Sequence, residues 1–455
     1  MEILDRHRPS PKPRTSGLLF LDKYGTVIHK VPIPYQKTTL KNGVRVIVAP
    51  MGNTRAVTVL VLFGTGSKYE TKKINGVSHY LEHMFFKGTE KRPKAVDISS
   101  LLDGVGGEFN AFTGEEFTGY YVKVDTAHFD LALDVVSDII LHSKFDAKEI
   151  NRERGVIIEE INMNNDNPMR KVMELWGELL HGDQPAGWPI AGTRETMAGI
   201  TRKDIVDYFT KQYVGDNAVV IVSGNTKDGT ALKKIEKHFS LLRHGKPYAK
   251  NRVVEKQDKP AVLLNTKKTD QTHICVGTRG FNLFDPGKYI AQVIAIILGG
   301  GMSSRMFISV RERKGLVYYI STIADSDTDT GSLFTRAGVD NTKVEKAVKT
   351  IVFEYKKIKR QKVSDSELSK AKNYIRGKTY LGLEASDDVA EFLGGQEILE
   401  NQILSPEQIL KELDSITPLQ IQGVAKQIFV PEKMNLALVG PFDDKDIFED
   451  LLQDI

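Results

Sequence analysis

The chain has 455 residues, which is too long for a single hydrophobic core and predicts two or three domains at roughly 150 residues each. Its 63 basic and 59 acidic residues leave a net charge of only +4, so we expect no nucleic-acid partner, because such proteins carry a clustered basic surface. No stretch of about 18 apolar residues occurs, so we expect no transmembrane helix and no membrane partner.

Residues 1–33 hold four prolines and are predicted to form an N-terminal extension outside the main fold. They lack the order of charged region, apolar region and small-residue cleavage site that a signal peptide needs. The single cysteine, Cys275, forms no internal disulfide and lies in an apolar run, which predicts an inert buried thiol. Together these features favour a cytoplasmic location.

The helix predicted over residues 77–86 carries the stretch HYLEH. His79 and His83 lie four residues apart, so on a helix their Cβ atoms are roughly 6 Å apart and both side chains can bind one ion. Glu82 stands beside the second histidine, where a carboxylate can take a proton from a water molecule at that ion. The alternative is a pair of ordinary surface or core histidines, but the pattern favours a metal site.

A catalytic zinc ion usually has three protein ligands, so the two histidines leave one ligand to be found. The helix predicted over residues 146–166 carries Glu153 and Glu160 seven residues apart, and therefore nearly on one face, beside apolar residues. Buried carboxylates need a charged partner, which a metal ion would supply. The alternative is a solvated face paired with neighbouring arginines. Glu159 is a further candidate, so the residues alone leave the third ligand open.

The chain also repeats itself. Residues 201–225 and 417–441 each run from an amphipathic helix through a short break into an apolar strand that ends in glycine. A second repeat, of a strand followed by a long helix, relates residues 118–140 to residues 330–352. We therefore predict an α+β fold of two homologous domains, each a mostly antiparallel sheet packed with helices. We place the domains and their linker at residues 34–245, 246–260 and 261–455, with opening strands at 44–50, 56–64, 261–265 and 273–280.

Three stretches, HYLEHMFFKGT, EFNAFT and RERGVIIEEI, resemble the inverted-motif zinc peptidases, the family of pitrilysin, insulin-degrading enzyme and the mitochondrial processing peptidase. The resemblance runs from about residue 36 to the end of the chain. The length is similar to that of the bacterial and organellar branch, whose subunits carry two homologous domains and pair to close a chamber. The resemblance therefore implies half of a clamshell peptidase with one Zn²⁺ per chain.

Position by position, the resemblance implies the zinc ligands His79, His83 and Glu160. It thereby selects Glu160 over Glu159. Glu82 is implied as the general base, and Glu153 as a second carboxylate of the catalytic site that supports it without binding zinc. The spacing of 77 residues from His83 to Glu160 is one more than the family's commoner spacing. We place the extra residue in a loop predicted over residues 92–110.

The resemblance also implies substrate contacts in both halves. Asn110 and Ala111 lie in a stretch, residues 109–113, that matches the family's edge strand, where an extended substrate binds by strand addition. In the second half, Arg311 and Tyr318 flank a glycine and resemble the family's pair that contacts the substrate and helps to hold its polarised carbonyl. The alternative for that pair is an ordinary helix end, glycine cap and strand.

The sequence thus predicts a zinc-dependent endopeptidase that hydrolyses peptides or unfolded protein segments inside a closed dimeric chamber. A homodimer is favoured over a heterodimer, because the zinc set and the arginine–tyrosine pair lie on one chain. The other candidate function is a noncatalytic scaffold or partner subunit of a peptidase-like complex. Relatives of that kind lose part of the zinc set or of the pair, whereas this chain keeps both.

Overall fold

The protein is described by a computed structural model over residues 33–226 and 230–455, together with a short antiparallel pairing of β1 (Phe20–Leu21) with β2 (Val27–Ile28). The predicted N-terminal extension otherwise lies outside the described residues. Within residues 33–226 and 230–455, no helix combines enough length with enough apolar character to cross a membrane.

The first half of the chain forms a six-stranded sheet in the order β3-β4-β8-β5-β7-β6. All neighbouring strands are antiparallel except β4 and β8, which confirms the predicted mostly antiparallel sheet. β6 lies at one edge and, among the described strands, pairs with β7 alone. The strands are β3 (Gln36–Thr39), β4 (Arg45–Pro50), β5 (Ala56–Phe63), β6 (Glu108–Thr113), β7 (Thr118–Asp125) and β8 (Ala218–Gly224).

Eight α-helices belong to the first half among the described residues. The loop predicted over residues 92–110 is wrong in its centre, because residues 95–103 form a helix whose apolar Ile98 and Leu102 are buried in the core of the first half. The helices are α1 (Val77–Phe85), α2 (Ala95–Asp103), α3 (Phe129–His142), α4 (Ala147–Asp166), α5 (Pro168–His181), α6 (Arg194–Gly199), α7 (Arg202–Gln212) and α8 (Ala231–Phe239).

The second half forms a five-stranded sheet in the order β11-β12-β10-β13-β9. Its strands are β9 (Ala261–Thr266), β10 (Gln271–Arg279), β11 (Val317–Ser326), β12 (Gly331–Asp340) and β13 (Met434–Gly440). The helices are α9 (Gly287–Gly299), α10 (Val344–Arg360), α11 (Asp365–Leu381), α12 (Ser386–Glu400), α13 (Pro406–Ser415), α14 (Pro418–Ile428) and α15 (Asp446–Gln453). A turn of π-helix at Phe307–Glu312 precedes β11.

The two sheets share one topology, which explains the repeat in the sequence. β3 has no counterpart among the described strands of the second half, but the other five strands of the first sheet match the five of the second. In each half one strand pairs in parallel with the last strand, β4 with β8 and β9 with β13. The remaining strands then follow in the same spatial order, so β5, β7 and β6 match β10, β12 and β11. The fold class predicted from the sequence, two homologous sheet-plus-helix domains, is confirmed. Residues 243–260, all of which the structure describes, contain neither helix nor strand.

Each half contributes one helix that packs on the sheet of the other half. α5, from the first half, packs on β13, β10 and β9, where Trp176 contacts Phe334 and Met173 lies against the buried thiol of Cys275. α12, from the second half, packs on β5 and β8, where Leu393 is buried against Leu62. Burial raises the pKa of the Cys275 thiol, as expected for an inert core cysteine. Each sheet therefore has one face covered by a helix from the other half.

Candidate metal centre

α1 presents both histidines of the HYLEH stretch toward one side. Its opposite face is apolar, and Leu81 and Met84 are fully buried in the core of the first half. This burial fixes the helix and leaves His79 and His83 on the remaining face, with ring centroids 4.8 Å apart. The helix ends at Phe85, where the chain turns toward α2.

α4 brings Glu160, the third candidate ligand, to the two histidines. Asp146 caps the start of this helix by accepting hydrogen bonds from the next backbone N–H groups, and α4 packs against α1. Glu160 Oε2 lies 3.6 Å from His79 Nε2 and 3.5 Å from His83 Nε2. One donor atom of each residue lies within 4.8 Å of the other two.

These donors fit a zinc ion. Tetrahedral Zn²⁺ with bonds of about 2.0–2.1 Å separates its ligand atoms by roughly 3.3 Å, close to the two distances from Glu160. Two imidazoles and one carboxylate are a donor set that zinc takes in catalytic sites, with a fourth position left for water. Glu159, the neighbour that the residues alone could not exclude, is exposed and stands outside this cluster.

Glu153 contacts the site from behind. Its Oε2 lies 3.1 Å from His83 Nδ1, and its Oε1 lies 2.7 Å from Lys87 Nζ, so it touches the ring nitrogen that faces away from Glu160. A carboxylate in that position orients the imidazole and raises its basicity as a ligand. The alternative was a solvated face of α4 on which Glu153 and Glu160 pair with neighbouring arginines. In the structure, Arg152 instead pairs with Glu149, and Arg154 donates hydrogen bonds to backbone carbonyls of α6 and its C-cap.

The two histidines differ in their electrostatics when no metal is bound. Burial, together with the charge of the neighbouring His83, lowers the pKa of His79 to about 4, although Glu160 opposes this effect. Burial also opposes the charged form of His83, but hydrogen bonds and charges from Glu153 and Glu160 outweigh it and raise the pKa of His83 to about 9. The pKa values of both glutamates are held below the ordinary range despite partial burial. The metal-free site is therefore an ion-paired cluster around a protonated His83.

Glu82 points into a cavity of about 540 Å³ that also reaches His79 and Glu160. Burial raises the pKa of Glu82 above its usual value, while a hydrogen bond from Thr113 Oγ1, 2.5 Å from Glu82 Oε2, partly offsets that effect. A carboxylate with a raised pKa beside a metal site suits a group that accepts and releases a proton near neutral pH. Thr113 lies on β6, so the edge strand contacts this carboxylate directly.

The predicted substrate strand is β6, and it lies at the sheet edge as the resemblance implies. Ala111 lines the same cavity as His79 and Glu82. The Asn110 side chain is turned along the strand, where its Oδ1 accepts a hydrogen bond from Ala111 N–H at 2.9 Å. The free edge of β6 is thus next to the candidate metal ligands, in a position where an extended chain could pair with it.

Arg311 and Tyr318 are not brought to this cavity within one chain. Both side chains are exposed, Tyr318 by 64%, and neither belongs to the described residues that line the cavity. Arg311 lies in the π-helical turn and stacks over the ring of Phe307. Tyr318 stands at an irregularity in the pairing of β11 with β12, which directs a side chain away from the regular ladder.

The structure adds residues that the sequence reasoning did not assign. Thr113 lies inside the stretch EFNAFT, but the sequence did not identify it as a partner of Glu82. Lys87, which contacts Glu153, follows His83 by four residues, and this helical spacing is the signal that could have identified it. For Glu70, no spacing in the sequence from the HYLEH stretch indicates a role at the site. It is buried and accepts hydrogen bonds at the start of α1.

Comparisons with known families agree with the motifs. Residues 45–194 match the family described as insulinase, peptidase family M16, and residues 199–375 match the peptidase M16 inactive domain. The second match begins near the end of the first half and continues into the second, and its described residues contain no such cluster of candidate metal ligands. The cluster of His79, His83 and Glu160 lies within the first match.

Three relatives with similar sequences come from bacteria. The uncharacterized zinc protease YmxG of Bacillus subtilis is 36% identical over 407 residues, covering 89% of this chain and 98% of the relative. An uncharacterized zinc protease of Streptomyces coelicolor is 33% identical over 418 residues, covering 90% of each chain. One of Rickettsia felis is 33% identical over 405 residues, covering 89% of this chain and 97% of the relative.

Solved structures show the same fold at lower identity. A protease from Helicobacter pylori superimposes with a TM-score of 0.84 at 24% identity, over 90% of this chain and all of that one. A chain of Complex III from Candida albicans superimposes with a TM-score of 0.79 at 18% identity, over 92% of this chain and 99% of that one. At these identities the likeness concerns the fold alone.

Proposed function

Because the chain belongs to the insulinase family of peptidases, family M16, we propose that it is a zinc-dependent endopeptidase acting on peptides or unfolded protein segments. The observation that carries the proposal is the convergence of His79, His83 and Glu160 in one cluster beside a cavity into which Glu82 points. Its similar relatives are named zinc proteases. A cytoplasmic location, compatible with the free thiol of Cys275, is part of the same proposal.

His79, His83 and Glu160 would hold the zinc ion. When bound, zinc supplies a Lewis acid that polarises the scissile carbonyl and makes water a nucleophile near neutral pH. Glu82 accepts the proton of the attacking water and passes it to the leaving amine, and Thr113 keeps the Glu82 carboxylate oriented. Glu153 holds His83 in the orientation that a ligand needs.

The substrate would lie extended along the free edge of β6. Backbone hydrogen bonds to a strand edge select an extended conformation and not a particular side chain, so unfolded segments are suitable substrates. Asn110 and Ala111 lie on that edge, and the Asn110 side chain must release the Ala111 N–H before this group can pair with a substrate. The cavity beside the edge then accommodates substrate side chains.

Arg311 and Tyr318 enter the proposal as groups that act on a partner's site. Both are exposed in a single chain, which leaves them free to contact a substrate bound by a second subunit across a closed chamber. Because one chain carries both functional sets, we propose a homodimer, with a heterodimer as the alternative.

Metal content and cleavage of an unstructured peptide test the proposal. Wild type, Glu82→Gln and the control Glu159→Gln, which changes an exposed neighbour of Glu160, are compared. We expect about one zinc ion per chain in all three, and a loss of at least about 100-fold in kcat for Glu82→Gln alone, the usual range for a lost general base. Equal cleavage by Glu82→Gln and wild type would contradict the mechanism. Zinc binding without cleavage by the wild type would favour the noncatalytic alternative.

A further inference from the structure

Residues 66–70 lie between three parts of the molecule: the turn after β6, the second half of the chain, and the start of α1. The backbone N–H groups of Ser67 and Lys68 donate to the carbonyls of Gly114 and Glu115 at 3.3 and 3.0 Å. The approach is so close that a Cβ on Gly66 would lie 2.2 Å from the Gly114 carbonyl oxygen. This segment is therefore fixed directly to the turn that follows Thr113.

Lys68 joins the same segment to the second half. Its side chain is only 2% exposed, and its Nζ lies 2.5 Å from Asp327 Oδ2, in the turn between β11 and β12, and 3.5 Å from Glu116 Oε1. Burial lowers the pKa of Lys68, but the carboxylates outweigh it and hold the pKa above its usual range. Burial raises the pKa of Asp327 to about 6 although Lys68 opposes this, so both groups are charged at neutral pH. Glu116 in turn accepts hydrogen bonds from the backbone N–H and the hydroxyl of Thr328 at 2.8 and 2.7 Å.

Glu70 joins the segment to the metal-binding helix. α1 begins after Gly76, a residue with no side chain to cap the helix, so its first N–H groups need a remote acceptor. Glu70 is that acceptor: its carboxylate binds the N–H groups of Gly76 and Ser78 at 2.7 and 2.8 Å. Ser78 directly precedes His79. A displacement of residues 66–70 would therefore move the first turn of α1, and with it a zinc ligand.

We propose that Lys68 is a positioning residue through which the second half of the chain holds α1 and β6 in their catalytic arrangement. One buried ammonium group connects the turn between β11 and β12 to the segment that caps α1 and to the turn that follows Thr113. The second half thereby acts on the metal centre of its own chain. This inference rests on the proposed peptidase function.

The chain offers a matched control. Lys250, in the segment between the halves, has its Nζ at 3.0 Å from Glu116 Oε1 and 2.5 Å from Asp329 Oδ2. Asp329 Oδ1 also lies 3.8 Å from Lys68 Nζ, so the two lysines share both carboxylates. Lys68→Met and Lys250→Met each remove one cation from the same cluster, but only Lys68 belongs to the segment that caps α1. Both variants should lose thermal stability, and only the first should disturb the metal site.

The test compares kcat, KM, thermal stability and the visible absorption spectrum of the Co²⁺-substituted enzyme without substrate. We expect Lys68→Met to lower kcat about tenfold or more with a smaller change in KM, since small misplacements of catalytic groups are costly. Its cobalt spectrum should shift, whereas Lys250→Met keeps the wild-type spectrum and kcat. Lys68→Arg, which keeps the charge, should recover part of the lost kcat. Asp327→Asn, in the second half, should reproduce the spectral shift in case Lys68→Met fails to fold.

Equal kcat values and unchanged cobalt spectra in Lys68→Met and Lys250→Met would overturn the inference, as would an unchanged spectrum in Asp327→Asn. Failure of the proposed function looks different, because the wild type and Lys250→Met would then show no cleavage at all. A third outcome is that the wild type is active, Glu82→Gln is inactive, and Lys68→Met is as active as its control Lys250→Met. That outcome would leave the peptidase proposal intact and remove only the role of Lys68.

Discussion

At the scale of single residues, the two ring nitrogens of His83 contact two different carboxylates, and this arrangement defines the candidate metal centre. Nε2 faces Glu160 and Nδ1 faces Glu153, so one carboxylate is a candidate ligand and the other supports the ring from behind. Both lie on α4 seven residues apart, and only their direction relative to α1 separates their roles. Without metal, these two negative charges keep a proton on His83.

That proton predicts how metal affinity depends on pH. Zinc needs a neutral imidazole, and the pKa of His83 without metal is raised to about 9, so binding below that pH releases a proton. His79, with a pKa lowered to about 4, is already neutral, and both glutamates are already ionised. We expect the apparent affinity to rise about tenfold per pH unit between roughly pH 7 and 9 and to level off above, as one proton is released.

Competition with a chromophoric chelator across this range measures the affinity. Glu153→Gln is the control, because losing one charge beside His83 lowers its pKa and should flatten the dependence. An affinity that is constant from pH 7 to 9 in the wild type would show that His83 is neutral before metal binds.

At the scale of helices and strands, the exchange of α5 and α12 joins the two halves into one packing unit. Leu393 of α12 is 1% exposed against the first sheet, and Trp176 of α5 is 4% exposed against the second. Burial of one such side chain contributes about 1.5–3 kcal/mol. Neither sheet is therefore fully covered by helices from its own half.

This arrangement predicts the effect of Leu393→Ala. We expect the free energy of unfolding to fall by about 2–5 kcal/mol, as for other large-to-small core substitutions, while Glu391→Ala on the exposed side of α12 changes it little. Because α12 belongs to one half and packs on the other, unfolding should remain a single transition in denaturant. Two separate transitions, with only one shifted by Leu393→Ala, would show that the halves unfold independently.

At the scale of the whole molecule, one chain has a cluster of candidate metal ligands beside its cavity and displays Arg311 and Tyr318 away from that cavity. A dimer in which each chain completes its partner's site predicts complementation between two inactive variants. Glu82→Gln lacks the base, and Arg311→Ala lacks the group offered to the partner. In a mixed dimer, one of the two sites keeps its own Glu82 and receives an intact Arg311 from the partner subunit.

Coexpression of these two variants with different tags, followed by two affinity steps, isolates the mixed dimer. We expect each variant alone to be nearly inactive and the mixed dimer to recover about half of the wild-type kcat, because one of two symmetric sites is complete. Light scattering on the same samples gives the oligomeric state. A mixed dimer as inactive as its parents, or full activity in a monomer, would contradict the exchange of residues between subunits.

Much of this organisation could be predicted from the sequence, because it depends on local geometry. Two histidines four residues apart share one face of a helix wherever that helix lies, which predicts two ligands. The repeated pattern of helix, break and apolar strand likewise predicts two sheets of one topology, because the same order of elements folds in the same way. The edge position of the strand at residues 109–113 came from the resemblance to known peptidases, and the pairing of β6 with β7 alone agrees with it.

Local geometry did not determine which residues meet across long distances in the chain. The resemblance to known peptidases implied Glu160, whereas only the tertiary structure brought Lys68 to Asp327. Glu160 is 77 residues from His83, and Lys68 is 259 residues from Asp327. Helical spacing did not separate Glu160 from Glu159, and the exchange of α5 and α12 leaves no local trace in the sequence, since an amphipathic helix has the same pattern on either sheet. The helical period determines which side chains share one face of a helix. The packing of the whole chain determines which other elements that face contacts.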